Sequence, residues 1–197
     1  MKSISEICEE YGIRNYTINE DGSIDVDGYV DLVRKDLTEL PLNFGRVTGI
    51  FNCSYNKLTT LKGSPKYVGK NFYCDNNKLT SLEFCPEEVS GDFNLNSNLE
   101  ISSLEYCPKK VGGNLFSMSN NIKNLYGISG DISGELVFFI SPISSIFNRV
   151  DMDFVRAFNA YRVIKDDKVV LKRLKYVMET FNMKYDLDKI KKYYEIN

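Results

Sequence analysis

Residues 47–67, VTGIFNCSYNKLTTLKGSPKY, and residues 68–88, VGKNFYCDNNKLTSLEFCPEE, are two copies of one pattern laid end to end. The frame is V-x-G-x-F-x-C-x-x-N-x-L-x-x-L-x-x-x-P, with the glycine one place earlier in the second copy, at Gly69. Working outward, Val26, Val47, Val68, Val89, Val111 and Ile132 open successive units at spacings of 21, 21, 21, 22 and 21 residues. A fixed period of this length marks a chain that coils on itself, each unit burying its apolar side against the next. The outer units keep the frame loosely. VSGDFNLNSNLEISSLEYCPKK (89–110) carries one extra residue after Asn98, and VGGNLFSMSNNIKNLYGISGD (111–131) lacks the proline. The units from Val26 and Ile132 place Lys35 and Ser141 where the asparagine belongs. Decay toward the ends is expected, because a terminal coil stacks on one neighbour only.

Each recurring column has a mechanical role. Phe51, Phe72, Phe93, Leu115 and Leu136 alternate with Cys53, Cys74, Leu95, Ser117 and Phe138, the period of two that marks the inward face of a strand. Asn56, Asn77, Asn98 and Asn120 fall where the chain turns out of the strand, and a stacked amide there can satisfy backbone groups of two coils. Leu58/Leu61, Leu79/Leu82, Ile101/Leu104 and Ile122/Leu125 fill the return arc, and Pro65, Pro86 and Pro108 stiffen it before the next strand. A structural role accounts for all of these columns.

F-x-C-x-x-N-x-L resembles the core of a leucine-rich repeat, and the trailing L-x-x-L-x-x-x-P resembles the short proline-marked repeats of bacterial effector proteins. Shortened phage-encoded repeats look similar too, including the lead-in NEDGSIDVDG. The chain departs from the effector type by one extra residue between proline and strand, and by V-x-G-x where a leucine usually opens the strand. The likeness covers residues 26 to about 147. It implies a strand-lined solenoid that recognises a protein partner, and more specifically a phage or bacterial factor that inhibits a host protein.

The flanks read differently. SISEICEEY (3–11) predicts a short helix, with Ser3 as N-cap, Glu6 completing a capping box and Gly12 as its stop. IRNYTI and SIDV around N-E-D-G predict a hairpin or paired strands leading into the first coil. Past Asn148 the spacing of Phe154, Val155, Phe158 and Tyr161 predicts one helix. The spacing from Val170 to Phe181 predicts a second, and DLDKIKKYY a third, short one. The expected fold is therefore α+β: a leucine-rich-repeat-like solenoid, a parallel strand ladder of about six coils, with helical N- and C-terminal caps. The expected divisions are 1–25, 26–147 and 148–197.

Composition narrows the function. The chain of 197 residues is 43% hydrophobic and 26% charged with a formal net charge of −2, a balance typical of a soluble globular protein and without a whole-molecule signature for nucleic acid or membrane. The sign drifts along it, −5 over residues 1–46, zero over 47–150 and +3 over 151–197. The N-terminus turns acidic before any apolar run, so no signal peptide is expected. Five cysteines without a C-x-x-C pair argue for reduced thiols in a cytoplasm rather than a disulfide framework or zinc site. There is no histidine, which removes Ser-His-Asp triads, Cys-His pairs and imidazole metal ligands together. No enzyme, cofactor or metal is expected.

Two constellations invite more. Ser23-x-Asp25-x-Asp27-Gly28 imitates the front of a calcium-binding loop, but Arg34 stands where its bidentate glutamate should be. Asp75 and Asp92, on adjacent coils, are the one carboxylate pair worth testing for hydrolytic chemistry. Function is expected instead on the outward, non-repeating positions of the strand ladder. Asn52, Tyr73, Asp75, Asn94 and Asn96 make a polar strip, and Phe116, Met118, Val137 and Phe139 an apolar end on adjacent coils roughly 5 Å apart. A protein bound on a concave strand face is the favoured reading; a small ligand or nucleotide held by the Asn/Asp/Tyr strip is the alternative.

Overall fold

A computed structural model describes residues 2–128 and 130–197. The chain opens with helix α1 (Ile4–Tyr11) and a hairpin of β1 (Tyr16–Ile18) and β2 (Ile24–Val26). Two-residue strands follow, with one of four residues among them: β3 (Val30–Asp31), β4 (Phe44–Val47), β5 (Phe51–Asn52), β6 (Tyr67–Val68), β7 (Phe72–Tyr73) and β8 (Glu88–Val89). The same rhythm continues through β9 (Phe93–Asn94), β10 (Lys110–Val111), β11 (Leu115–Phe116), β12 (Asp131–Ile132) and β13 (Leu136–Val137). After a 3-10 turn at Pro142–Ser145 come β14 (Arg149–Val150), α2 (Met152–Ala160), β15 (Ile164–Lys165) and β16 (Lys168–Val169). Helices α3 (Leu171–Thr180) and α4 (Leu187–Ile190) and strand β17 (Glu195–Ile196) complete the chain.

The short strands sort into two ladders, β1-β2-β4-β6-β8-β10-β12 and β3-β5-β7-β9-β11-β13-β14. Each is parallel except at one end, where β1 pairs antiparallel with β2 and β14 antiparallel with β13. The chain is thus a β-solenoid of about five turns. Where the period implied one strand per coil, each turn holds two, because the glycine after the valine makes a corner. A Cβ on Gly49 would lie 2.4 Å from the Gly28 carbonyl oxygen, and one on Gly69 2.1 Å from that of Thr48. Only hydrogen allows the coils to approach so closely there. Register shifts once, between β2 and β4, and is regular beyond, with Val47 opposite Val68 and Phe51 opposite Phe72.

The interior is the stack of repeated columns. Val26, Val47, Val68, Val89, Val111 and Ile132 line the first ladder, and Phe51, Phe72 and Phe93 the second, all buried. The Phe51 and Phe72 rings stack at 5.6 Å and 13°, and Phe72 and Phe93 follow at 5.5 Å. Each fully buried side chain of this size contributes about 1.5–3 kcal/mol. The asparagine column works as expected. Asn77 Nδ2 donates to the carbonyls of Cys53 in the preceding coil (3.0 Å) and Cys74 in its own (3.1 Å), while its Oδ1 accepts the Leu58 N–H (3.0 Å). Asn98 repeats this with Cys74, Leu95 and Leu79. At Asn120, beyond the longer unit, Oδ1 takes the N–H of Asn98 instead (2.9 Å).

At the N-terminus α1 has the capping box of Ser3 and Glu6, ends on left-handed Gly12 and sets Cys8 into the core. At the other end Phe138 meets Phe147 (6.0 Å), which meets Phe154 (5.0 Å) and Phe158 (5.4 Å) of α2. Polar contacts add to this junction. Asn159 Nδ2 donates to the Leu125 carbonyl (2.9 Å), Tyr194 to that of Lys123 (2.5 Å), and Tyr126 to that of Ile164. Residues 164–169 form a hairpin whose Asp166 and Asp167 are both left-handed, and β17 completes a three-stranded sheet. The helical spacing of the flank concealed this sheet. Among the described residues no helix is long and apolar enough to cross a membrane.

Candidate functional site

The second ladder turns every other residue outward, and its register aligns Asn52, Tyr73, Asn94, Phe116 and Val137 in one column. Two residues further along each coil lie Ser54, Asp75, Asn96, Met118 and Phe139. These columns contain all nine residues singled out in the sequence, but the structure treats them unequally. Asn52, Tyr73, Asn94, Asn96, Phe116, Met118 and Phe139 are half-buried. Asp75 is 9% exposed and Val137 3%, so neither offers much to a partner. Val137 lies opposite Arg149 of the antiparallel β14, and that arginine reaches Glu135 on the same face at 3.2 Å. The end strand therefore covers part of the apolar end.

In the polar strip much hydrogen-bonding capacity is spent inside the chain. Asp75 accepts from the hydroxyl of Ser54 (2.5 Å) and the amides of Asn76 (2.8 Å) and Asn94 (3.3 Å). Asn52 and Asn94 each accept the N–H two residues on, at 3.0 Å, and Asn96 accepts the Met118 N–H at 2.6 Å. Asn71 Nδ2 donates to the Tyr73 hydroxyl (2.6 Å). The carboxylate pair is likewise engaged, since Asp92 accepts the Asn114 N–H at 2.8 Å. In the acidic loop, Asp25 Oδ1 accepts from Arg46 N–H (2.7 Å) and Asp27 Oδ1 from the Thr48 hydroxyl (2.8 Å). These carboxylates tie one coil to the next.

One residue of this face escaped sequence reasoning. Arg34, Tyr55, Asn76, Ser97, Ser119 and Ile140 each precede the asparagine-column position in their coil, and all have φ between 54° and 58°. Asparagine tolerates that left-handed conformation; a β-branched residue does so only under strain. Ile140 is nevertheless 82% exposed, beside Phe139. The signal was present in the sequence, an isoleucine in a column otherwise polar or aromatic, but without φ angles the column had no special meaning.

The outer face of the first ladder is internally matched instead. The Arg46 guanidinium lies 3.6 Å from the centre of the Tyr67 ring, Lys110 pairs with Glu88 at 3.0 Å, and Arg156 with Asp131 at 3.4 Å. Burial pushes the thiols of Cys53, Cys74 and Cys107 well up and that of Cys85 up to about 12, which keeps these four protonated near neutral pH. The chain matches no protein-family model, no curated protein and no solved structure.

Proposed function

We propose that this chain is a non-enzymatic interaction module that holds a partner protein on the outer face of the second ladder, at its C-terminal end. The observation that carries this reading is Ile140, a strained and exposed apolar side chain that follows half-buried Phe139, on the coil stacked against the one that carries half-buried Phe116 and Met118. Strain maintained at an exposed position points to use rather than to folding. Strands of the six parallel rungs, spaced about 4.8 Å, present a face roughly 25 Å long, adequate for a standard interface. In this reading the helical flanks cap the solenoid and keep its ends from stacking on other chains. The resemblance to short leucine-rich repeats suggests a phage or bacterial factor working in a host cytoplasm. A small-ligand role for the Asn/Asp/Tyr strip has weaker support, since Asp75 and the amides beside it serve the ladder itself.

The test is capture from cells of the natural source with the immobilised protein, comparing wild type, Ile140→Asp and Phe139→Asp. Both variants are expected to keep the wild-type circular dichroism and lose the partner. If they retain the same partner, or if wild type captures nothing that competes with free protein, the surface is not the binding site.

A further inference from the structure

Where the return arc turns into the first ladder, each coil makes a tight turn closed from the fourth N–H to the first carbonyl: Leu61–Ser64, Leu82–Cys85 and Leu104–Cys107. The third residue of each has positive φ, 91° at Gly63, 66° at Phe84 and 65° at Tyr106, and the same column continues to Gly127 at 88°. Such a turn calls for glycine. Two of its four members are bulky aromatics instead, 50% and 57% exposed. They flank a surface hollow of about 530 Å³ floored by Pro86 and Cys107. Nothing in the fold requires these rings, since glycine serves in the coils on either side.

We propose that Phe84 and Tyr106 form a binding site for a guanidinium, the arginine side chain of a basic peptide segment. Glu87 and Glu105 line the same hollow. Glu87 is paired with Lys109 at 2.6 Å, whereas Glu105 has no ion pair among the described residues. An uncompensated carboxylate in one hollow with two exposed aromatic rings is the chemistry that selects a cation. The solenoid already uses this contact between coils, with Arg34 over Tyr55 at 4.7 Å and Arg46 over Tyr67 at 3.6 Å. Lys109 also lines the hollow, but it is paired with Glu87; Glu105 and the two rings have no such cation of their own, so theirs comes from a partner. The Cys85 thiol, donating to the Tyr106 carbonyl at 2.8 Å, holds the turn and is not itself a reactive group. This site lies along a different edge of the coil from the proposed protein-binding face and stands independently of it.

Titration calorimetry of the whole protein with tetra-arginine amide, at physiological salt, tests this. Wild type is expected to bind tetra-arginine more tightly than tetra-lysine and to ignore tetra-glutamate. The double variant Phe84→Gly/Tyr106→Gly is expected to melt within a few degrees of wild type and to bind about tenfold more weakly. Glu105→Gln should weaken binding as well, while Glu9→Gln, in α1, should leave it unchanged. Wild-type affinity in the double variant, equal weakening by Glu9→Gln, or no tetra-arginine binding at all each overturns the site. Unfolding of the glycine variant does so too, since the rings would then be there for the fold.

Discussion

At the scale of single residues, the asparagine column separates what repeats for stability from what does not. Asn77 closes three backbone bonds across two coils at an almost fully buried position. Replacing it leaves buried donors and acceptors unpaired, each costing about 1–3 kcal/mol. Asn77→Ala is expected to cost at least about 3 kcal/mol and to lower the thermal midpoint by roughly 10 °C. Asn52→Ala, which removes one local bond on a half-buried side chain, should cost less than about 1 kcal/mol. Ile140 behaves in the opposite sense. Ile140→Asn releases the left-handed strain and loses little burial, so stability is expected to hold or to rise by about 1 kcal/mol, readable by calorimetry. A clear drop would show that the exposed side chain contributes to the fold.

At the scale of elements, a cluster of rings joins the solenoid to the C-terminal helices. Phe147 bridges Phe138 of the last coil to Phe154 and Phe158 of α2, and Phe154 continues to Phe181. Phe147→Ala opens a cavity there, at a cost of about 3–5 kcal/mol. Amide exchange should then speed up in α2 and α3 while the central coils around Phe72 stay protected. Uniform acceleration along the chain would show that flank and solenoid unfold as one unit. The helices were legible because their apolar spacing and caps are local: Ser3, Glu6 and Gly12 bracket α1, and Asp151 caps α2. The hairpin β15–β16 was not, because its strands have two residues each and carry no readable alternation. Asp166-Asp167 at its turn was the available sign, two residues able to take φ near 52° and 56°.

For the molecule as a whole, the buried thiols couple the solenoid to pH. Burial raises Cys53, Cys74 and Cys107, and Cys85 to about 12, above the value near 8.5 of an unfolded thiol. A group raised by folding contributes its full stability below the unfolded value and loses it as pH climbs toward the folded one. Stability should therefore fall between about pH 9 and pH 12, by as much as about 1.4 kcal/mol per pH unit for each such thiol. Melting followed over that range should show a shallower decline in Cys85→Ser than in wild type; parallel curves would remove Cys85 from the account. Near neutral pH the same thiols should resist alkylation until the chain unfolds. Exposed pairs such as Lys109–Glu87 are expected to matter little, and added salt should move the midpoint only slightly.

The sequence by itself determined the coil, because a repeat of 21 residues with valine, phenylalanine, asparagine and leucine at constant offsets has one economical way to bury those columns. It also identified the N-terminal helix, the opening hairpin and which faces of the strands turn inward, since each follows from short-range patterning. Only the tertiary structure divided each turn into two ladders, through coil contacts too close for any residue but glycine at Gly49 and Gly69. It alone buried Val137, because the strand that lies beside it returns antiparallel from outside the repeat. Likewise, left-handed φ and exposure together distinguish Ile140, Phe84 and Tyr106 from ordinary surface residues. Backbone strain and partner strands depend on how coils meet in space, and no pattern along one chain encodes that directly.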